Sequence, residues 1–146
     1  MKNILIVGST GQIGSELSIK LRSVYGENNV VCGYYKPPYP KDFFESGPTV
    51  EIDATDINQI AEAVKKYNID TIYNLAAILS ATAEKYPKLG WDVGVGSLMN
   101  CLDVAREYKC AVFTPSSIGA FGPNTPKDKT PHDTVQRATT VYGITQ

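Results

Sequence analysis

Neither a strong net charge nor a long apolar run is present in this 146-residue sequence. Its 14 Lys and Arg residues are balanced by 15 Asp and Glu residues, which leaves a formal net charge of -1. Without a run of basic residues, a general nucleic-acid-binding surface is not expected. No apolar stretch reaches the roughly 20 residues that a membrane-spanning helix needs, and no signal or transit pattern precedes the first strand pattern. We therefore expect neither nucleic acid nor membrane among the partners.

Cysteine and histidine are also scarce. The three cysteines, Cys32, Cys101 and Cys110, are odd in number and follow no C-x-x-C spacing, and His132 is the only histidine. Such cysteines are typical of reduced, buried thiols in a reducing compartment. With His132 as the only histidine, the sequence favours neither a Cys/His zinc site nor a histidine-activated cysteine nucleophile. We therefore expect no metal site and a soluble, cytoplasmic protein.

What the sequence does contain is a glycine-rich turn between a strand pattern and a helix pattern. Gly8, Gly11 and Gly14 form G-x-x-G-x-x-G directly after the apolar residues 4–7, and an amphipathic segment follows. The first glycine permits a tight turn, the second lets a pyrophosphate approach the main chain, and the third lets the helix lie close to the strand. The helix N-terminus offers N–H groups and partial positive charge to the phosphate. The pattern predicts a dinucleotide site, with an ordinary strand-to-helix turn as the alternative.

Apolar strand patterns alternate with helix patterns along the chain. This alternation predicts one α/β domain, a Rossmann-type doubly wound parallel sheet with helices on its faces. Predicted strands cover residues 4–7, 30–34, 50–52, 71–75 and 111–114, and loops cover 36–40, 43–48 and 122–139. Predicted helices cover residues 12–25, 57–67 capped by Asp56, and 87–108 with Trp91, Leu98, Leu102, Val104 and Ala105 in the core.

A further helix pattern begins at residue 140 and reaches residue 146, where the sequence stops. A five-stranded sheet ending in this way would leave its last strand poorly covered. We therefore expect residues 1–146 to be the N-terminal part of a dinucleotide-binding domain, incomplete at its C-terminal end and without a substrate domain.

Several candidate site residues follow predicted strands. Ligands of such sheets bind at the carboxyl ends of the strands, so these residues should surround one crevice. Tyr34 stands where an acidic residue usually binds the ribose, and Asp53 could accept from an adenine amino group or be a loop acid. The small residues after the fourth strand should leave room for the nicotinamide end of the cofactor. The predicted cofactor-binding residues are Gly8, Gly11, Gln12, Ile13, Gly14, Tyr34, Asp53, Leu75, Ala76 and Ala77.

A serine and a tyrosine complete the predicted crevice. Ser117 follows the fifth strand, next to Ser116, and Tyr142 lies on the last helix pattern. A tyrosine on a helix facing a serine at a strand end is the arrangement of short-chain dehydrogenases, in which hydride moves between substrate and nicotinamide. The alternative is an ordinary strand-end serine and a packing aromatic.

With these residues in place, the chain resembles the extended short-chain dehydrogenases, and more narrowly the NAD-dependent L-threonine 3-dehydrogenases. The resemblance covers essentially all 146 residues. The wider part rests on the glycine motif, residues 75–77, 116–123 and 142–145. The narrower part rests on residues 78–81, 102–108, 115–123 and 140–143.

This resemblance implies oxidation of the threonine β-hydroxyl to give 2-amino-3-ketobutyrate and NADH. Tyr142 would be the general base, Ser117 would hold the same oxygen, and Ser80 would contact the amino-acid substrate. A homodimer is compatible with the resemblance for a full-length form. Two alternatives stay open: a nucleotide-sugar epimerase or dehydratase of the same superfamily, and a truncated, non-catalytic nucleotide-binding protein.

Three positions depart from the family pattern. The family has Tyr-x-x-x-Lys, whereas Gln146 stands in the lysine position; Gly94 replaces an active-site asparagine; and Tyr34 replaces the ribose-binding acid. The cofactor is therefore expected to be NAD with NADP as the alternative, because Lys36 could bind a 2′-phosphate or be a solvated loop lysine. We expect no catalytic turnover from the chain as written.

Overall fold

The computed structural model describes residues 2–36 and 45–146. Most of the predicted loop over residues 36–40, and the beginning of the predicted loop over 43–48, lie outside the described residues.

Over the described residues, five strands and six α-helices follow one another in the order that the sequence pattern predicts, with one additional helix and one predicted helix divided in two. The strands are β1 Ile4–Val7, β2 Val30–Tyr34, β3 Thr49–Glu51, β4 Thr71–Asn74 and β5 Ala111–Phe113. The α-helices are α1 Gln12–Tyr25, α2 Ile57–Tyr67, α3 Ser80–Lys85, α4 Pro87–Trp91, α5 Ser97–Tyr108 and α6 Val141–Ile144. Short 3₁₀ turns cover Glu27–Asn29 and Ile118–Ala120, and a π-helical turn, Asp92–Gly96, joins α4 to α5.

The strands form one parallel sheet in the order β3-β2-β1-β4-β5. β1 lies in the middle, with Ile4 opposite Val30 of β2 on one side and opposite Thr71 of β4 on the other. The chain therefore builds the sheet outward from β1 in one direction and then in the other. This order confirms the predicted Rossmann-type fold, and it makes the carboxyl ends of β1 and β4 the switch point where ligands bind.

Successive side chains of a strand point to opposite faces of the sheet, and helices cover each of these two faces. Ile4 and Ile6 of β1 point toward α1 and are fully buried with Leu21 and Val30. The other face is larger, since Leu5 and Val7 join the apolar residues of α2 and α5, among them Ile60, Val64, Cys101 and Val104. β1 is thus buried on both faces, which explains its uninterrupted apolar sequence.

Local signals set the ends of the first helices as predicted. α1 ends at Gly26, whose φ of 93° is open to glycine and strained for other residues. α2 begins after Asp56, whose carboxylate accepts from the Asn58 N–H at 2.9 Å. Asn68 then ends α2 in the left-handed conformation. The observed bounds of both helices coincide with the predicted ones.

The predicted helix over residues 87–108 is the main correction. The chain stays helical there but passes through the π turn between α4 and α5. The prediction that Trp91 and Leu102 lie in the core is wrong, because Trp91 is 53% exposed and Leu102 is 43% exposed. Val104 and Ala105 are buried as predicted, and Leu98 is half-buried. Helix α3 lies in a segment for which the sequence pattern predicts no helix.

Strand boundaries and cysteines differ from expectation in smaller ways. β3 lies one residue earlier than predicted, and β4 and β5 each end one residue earlier. All three cysteines are unpaired thiols, but Cys110 is only half-buried. Burial raises the pKa of the Cys101 thiol to about 12, which disfavours the reactive thiolate.

Within the described part of the chain, no helix combines the length and apolar character needed to cross a membrane. β5 lies at the edge of the sheet, with Ala111 and Phe113 exposed.

Candidate dinucleotide site

The glycine turn is tied to both neighbouring strands. The N–H groups of Gly8 and Ser9 donate to the Gly33 carbonyl of β2 at 3.1 and 2.9 Å, and the Ser9 hydroxyl donates to the same oxygen at 2.8 Å. Gly8 has a φ of +83°, and a Cβ there would lie 2.8 Å from the Ala76 nitrogen. Only glycine meets both conditions, so the main chain of β1 comes very close to the end of β4.

Gly11 and Gly14 differ in what surrounds them. A Cβ on Gly14 would lie 2.8 Å from the Ser9 backbone, so glycine is needed there for α1 to begin so close to the turn. A Cβ on Gly11 would meet only the Gly8 carbonyl oxygen, at an ordinary 3.5 Å. The fold therefore requires Gly14 but not Gly11. The space above Gly11 is open to a ligand.

That space belongs to a cleft of about 530 Å³ at the carboxyl ends of β1, β3 and β4. The N-terminus of the 14-residue helix α1 lies beside it, and the first N–H groups of any helix have no intrahelical acceptor. The lining residues are Val7, Gly8, Thr10, Gly11, Tyr35, Ile52, Asp53, Ala54, Thr55, Leu75, Ala76, Ala77, Ile78, Leu89 and Val93. The cleft is thus mainly apolar with polar groups at the glycine turn and after β3, as cofactor sites are.

Among the described residues that line the cleft, Asp53 alone is charged. One of its carboxylate oxygens accepts from the N–H and the hydroxyl of Thr55, at 2.9 and 2.7 Å. Its backbone N–H donates to the Gln59 side chain at 2.7 Å. Asp53 therefore organises its own loop and also lies at the cleft, and its contact with an adenine amino group stays a prediction.

The end of β2 contributes a different residue from the predicted one. Tyr34 is the last residue of β2, is half-buried and accepts the Ile52 N–H at its carbonyl, at 2.7 Å. The next residue, Tyr35, lines the cleft and is 51% exposed. The Lys36 ammonium lies 4.5 Å from the centre of the Tyr35 ring. Alternation of side chains past the end of β2 could have pointed to Tyr35.

A buried polar pair supports the other end of the cleft. The Asn74 amide of β4 donates to the Ser97 hydroxyl of α5 at 3.1 Å, and Asn74 also accepts the Ala76 N–H at 3.4 Å. Asn74 and Ser97 are both buried. The pair therefore ties the loop after β4, with Ala76 and Ala77, to the helix beyond the π turn.

Two of the departures from the family pattern meet beside that loop. Gly94 and Gln146 line the same cavity of about 60 Å³, together with Ala76 and Ala77. A Cβ on Gly94 would lie 2.8 Å from the Thr145 Cβ. The small residue in the π turn thus allows the segment after Tyr142 to approach the cofactor cleft.

Ser117 and Tyr142 are brought together at Gly119. The Ser117 hydroxyl oxygen accepts the Gly119 N–H at 3.2 Å. A Cβ on Gly119 would lie 3.6 Å from that oxygen and 3.1 Å from the Tyr142 ring. Ser117 and Tyr142, 25 positions apart in the sequence, therefore both lie beside Gly119, and their catalytic partnership stays a prediction.

The helix that carries Tyr142 is held by backbone contacts. A Cβ on Gly143 would overlap the Gly119 carbonyl oxygen and lie 2.9 Å from Ala138. The Tyr142 N–H donates to the Glu84 carboxylate of α3 at 3.0 Å. Nothing in the spacing of the sequence pointed to Glu84, because 58 residues separate it from Tyr142.

Like Gly14, Tyr34, Ser117 and Tyr142, the predicted site residues Gln12, Ile13 and Ser80 are not among the residues that line the cleft. Gln12 and Ile13 have exposed side chains in the first turn of α1, where their backbone amides face outward from the helix end. Ser80 is the first residue of α3 and is exposed. Over residues 2–36 and 45–146, no three His, Cys, Asp or Glu side chains are grouped as a metal site would need.

Comparison with known proteins places the chain in a family. The family described as the NAD dependent epimerase/dehydratase family matches residues 4–146. An uncharacterized epimerase/dehydratase of Staphylococcus saprophyticus is 50% identical over 144 residues, which are 99% of this chain and 45% of that protein. The chain therefore spans less than half the length of this curated relative.

Solved structures agree with the fold. The L-threonine dehydrogenase of Clostridium difficile is 50% identical, with a TM-score of 0.95 over 99% of this chain and 46% of that one. The holo form of a GalE-like L-threonine dehydrogenase from Cupriavidus necator is 44% identical, with a TM-score of 0.91 over 98% of this chain and 46% of that one. Together with the family match, these similarities show that the chain belongs to the NAD-dependent epimerase/dehydratase family.

Proposed function

We propose that residues 1–146 are the dinucleotide-binding part of an L-threonine 3-dehydrogenase-like oxidoreductase. The observation that carries the proposal is the cleft over Gly11, where the fold leaves open space beside the N-terminus of α1. The high similarity to L-threonine dehydrogenases supports the substrate. The reaction would convert threonine to 2-amino-3-ketobutyrate.

The residues present fit NAD at this cleft. The glycine turn and the start of α1 would hold the pyrophosphate, since backbone N–H groups and the helix dipole favour an anion there. The residues after β3 would face the adenosine end, and Ala76 and Ala77 would face the nicotinamide end. NAD, when bound, supplies the hydride acceptor.

Ser117 and Tyr142 would handle the proton. The Ser117 oxygen already accepts from Gly119, so its own hydrogen is free to donate to the substrate oxygen. The Tyr142 phenol would take the proton of the threonine hydroxyl as general base. Glu84 and Gly119 would keep the phenol in position, because they fix the backbone and the ring of Tyr142.

Gln146 limits this chemistry. A neutral amide in the lysine position cannot stabilise a tyrosinate as a cation would, and it lies at the cavity beside Ala77. We therefore propose that these 146 residues bind the cofactor without measurable turnover. Turnover would need a lysine at 146 and the larger part of the relatives' length that this chain does not span.

Three proteins test the proposal: the chain itself, its Gln146→Lys variant, and that variant joined to the C-terminal half of the Clostridium difficile L-threonine dehydrogenase. Calorimetry with NAD and NADH formation from L-threonine at pH 7 to 10 are measured for each. We expect binding in all three and turnover only in the third. Absence of NAD binding, or robust turnover by the unmodified chain, would refute the proposed roles.

A further inference from the structure

Two walls of the cleft are formed by loops that are separate in the sequence. One loop follows β3 and includes Asp53, Ala54 and Thr55, and the other follows β4 and includes Ala76 and Ala77. In the sheet, β2 and β1 lie between β3 and β4. Loops that are held in place before a ligand arrives favour binding, because the ligand does not have to order them. Contacts that fix both loops should therefore raise the affinity for a ligand that spans them.

The first turn of α5 is bonded to both loops. The Ser97 hydroxyl accepts from the Asn74 amide at 3.1 Å, and the amide oxygen of Asn74 accepts the Ala76 N–H at 3.4 Å. Three residues further along α5, the side-chain amide of Asn100 donates to the Ala54 carbonyl at 3.0 Å. Residues three apart are neighbours on one side of a helix. One turn of α5 thus joins the two walls of the cleft.

The bond from Asn100 reaches the loop after β3 from a distant part of the chain. The Asp53 N–H donates to the Gln59 side chain at 2.7 Å, and the Asp56 N–H donates to the Asp53 carbonyl at 3.0 Å. These bonds join neighbours in the chain and shape the loop, whereas Asn100 is 46 residues from Ala54. Ala54 is buried and Asn100 is half-buried, which strengthens the bond between them. Asn100 therefore fixes where the loop lies relative to α5.

We propose that Asn100 is a positioning residue for the loop after β3, which would face the adenosine end, and that Ser97 has the same role for the loop after β4, which would face the nicotinamide end. Neither side chain is among the described residues that line the cleft, so each acts through the loop that it holds. The inference rests on the proposed function, since it requires a dinucleotide that spans both loops. The two residues should then affect different parts of the ligand.

Calorimetry with ADP and NAD separates the two roles, because ADP contains the adenosine and the pyrophosphate but not the nicotinamide. The variants of the full chain are Asn100→Leu, which removes the amide at similar volume, Asn100→Ala, which removes it without adding bulk, and Ser97→Ala. Asn29→Leu is the matched control. The Asn29 amide also donates to a carbonyl, that of Tyr25 at 2.7 Å, but it lies in the turn before β2, at the edge of the sheet opposite the cleft. Thermal unfolding checks that each protein is folded.

We expect both Asn100 variants to bind ADP and NAD about three- to tenfold more weakly, by the same factor for each ligand, because the ligand must then order the loop without this hydrogen bond. Ser97→Ala should weaken NAD binding by a similar factor and leave ADP binding within about twofold. Asn29→Leu should change neither affinity by more than about twofold. A purely structural role of Asn100 would lower the melting temperature and leave both affinities unchanged.

The possible failures are distinguishable. If the unmodified chain binds ADP and NAD, and the Asn100 variants bind them equally well or lose no more affinity than Asn29→Leu, the role of Asn100 is refuted and the proposed function stands. Equal effects of Ser97→Ala on ADP and NAD, whether both affinities fall or neither does, would refute the role of Ser97. If the folded, unmodified chain binds neither ligand, the proposed function itself is refuted.

Discussion

Gly11 provides the sharpest test of where the pyrophosphate binds. Its φ and ψ of -71° and 172° are accessible to every residue type, and a Cβ there meets only the Gly8 oxygen at 3.5 Å. A side chain at this position therefore enters the cleft rather than the protein. We expect Gly11→Val to leave the fold intact and to abolish dinucleotide binding.

The effect on stability should be small. Gly11 is the N-cap of α1 and makes no side-chain cap, so valine costs about 0.5–1 kcal/mol there as a poor cap. Replacing glycine also restricts the unfolded chain, which offsets about 0.4–1 kcal/mol of this cost. The melting temperature should therefore change by no more than about 2–4 °C.

The effect on binding should be large. Hydrogen bonds to a charged group contribute about 1.5–3 kcal/mol each, and a valine side chain would separate the pyrophosphate from at least two backbone N–H groups. Loss of two such bonds lowers the affinity at least roughly 100-fold. Calorimetry with NAD on both proteins measures the difference. Equal affinities would show that the pyrophosphate does not approach Gly11.

Gly14→Ala is the matched control for this experiment. Its new Cβ would overlap the backbone of Gly8 and Ser9, which cannot shift alone. Overpacking of about 3 kcal/mol outweighs the roughly 1 kcal/mol that alanine gains in a helix, so a melting temperature lower by about 4–8 °C is expected. An unchanged melting temperature for Gly14→Ala, or unfolding of Gly11→Val, would contradict the distinction between the two glycines.

Three further predictions follow from other contacts. Tyr35→Asp places an acid at the wall of the cleft after β2 and should shift the preference toward NAD roughly tenfold; an unchanged ratio of NAD to NADP affinities in calorimetry would contradict this. Burial raises the pKa of Asp70, but hydrogen bonds from the Thr71 hydroxyl and from the N–H groups of Lys2 and Asn3 outweigh it and hold the pKa below its usual range. The carboxylate therefore stabilises the fold above about pH 4 and loses this effect as the pH falls through its lowered pKa, so urea unfolding of Asp70→Asn should depend less on pH between 5 and 2 than that of the parent. Glu84→Ala removes the acceptor of the Tyr142 N–H and should speed amide exchange over residues 140–146, whereas Glu84→Gln, which keeps an oxygen there, should change it less.

Elements whose ends carry local signals could be predicted from the sequence. β1 is buried on both faces and reads as an unbroken apolar run, and the glycine turn separates it sharply from α1. Gly26 and Asp56 set helix ends through backbone conformation and capping, which depend on a few adjacent residues. Such interactions act within one turn of chain, so the pattern of residues is enough to locate them.

The helices around residues 80–108 show where this reasoning stops. Gly90 lies in α4 because a Cβ there would come within 3.3 Å of Val141 and 3.2 Å of Ala83, and Gly94 lies under Thr145. Val141 is more than 50 residues away from Gly90 in the sequence, and Thr145 is equally far from Gly94. Glycine is unfavourable in helix interiors, so propensity alone gives no reason for the π turn and its glycines.

The sequence by itself determined the order of the elements, the parallel sheet and the glycine turn at the end of β1. It also pointed to Ser117 and Tyr142, through a resemblance rather than through spacing. Only the tertiary structure decided that Tyr35 rather than Tyr34 lines the cleft. It also decided that the fold requires glycine at position 14 but not at position 11, and that the Glu84 carboxylate accepts from the backbone of Tyr142. The reason is physical: periodicity and capping act between neighbours in the chain, whereas a cleft is shaped by strand ends and helices that approach each other only after folding.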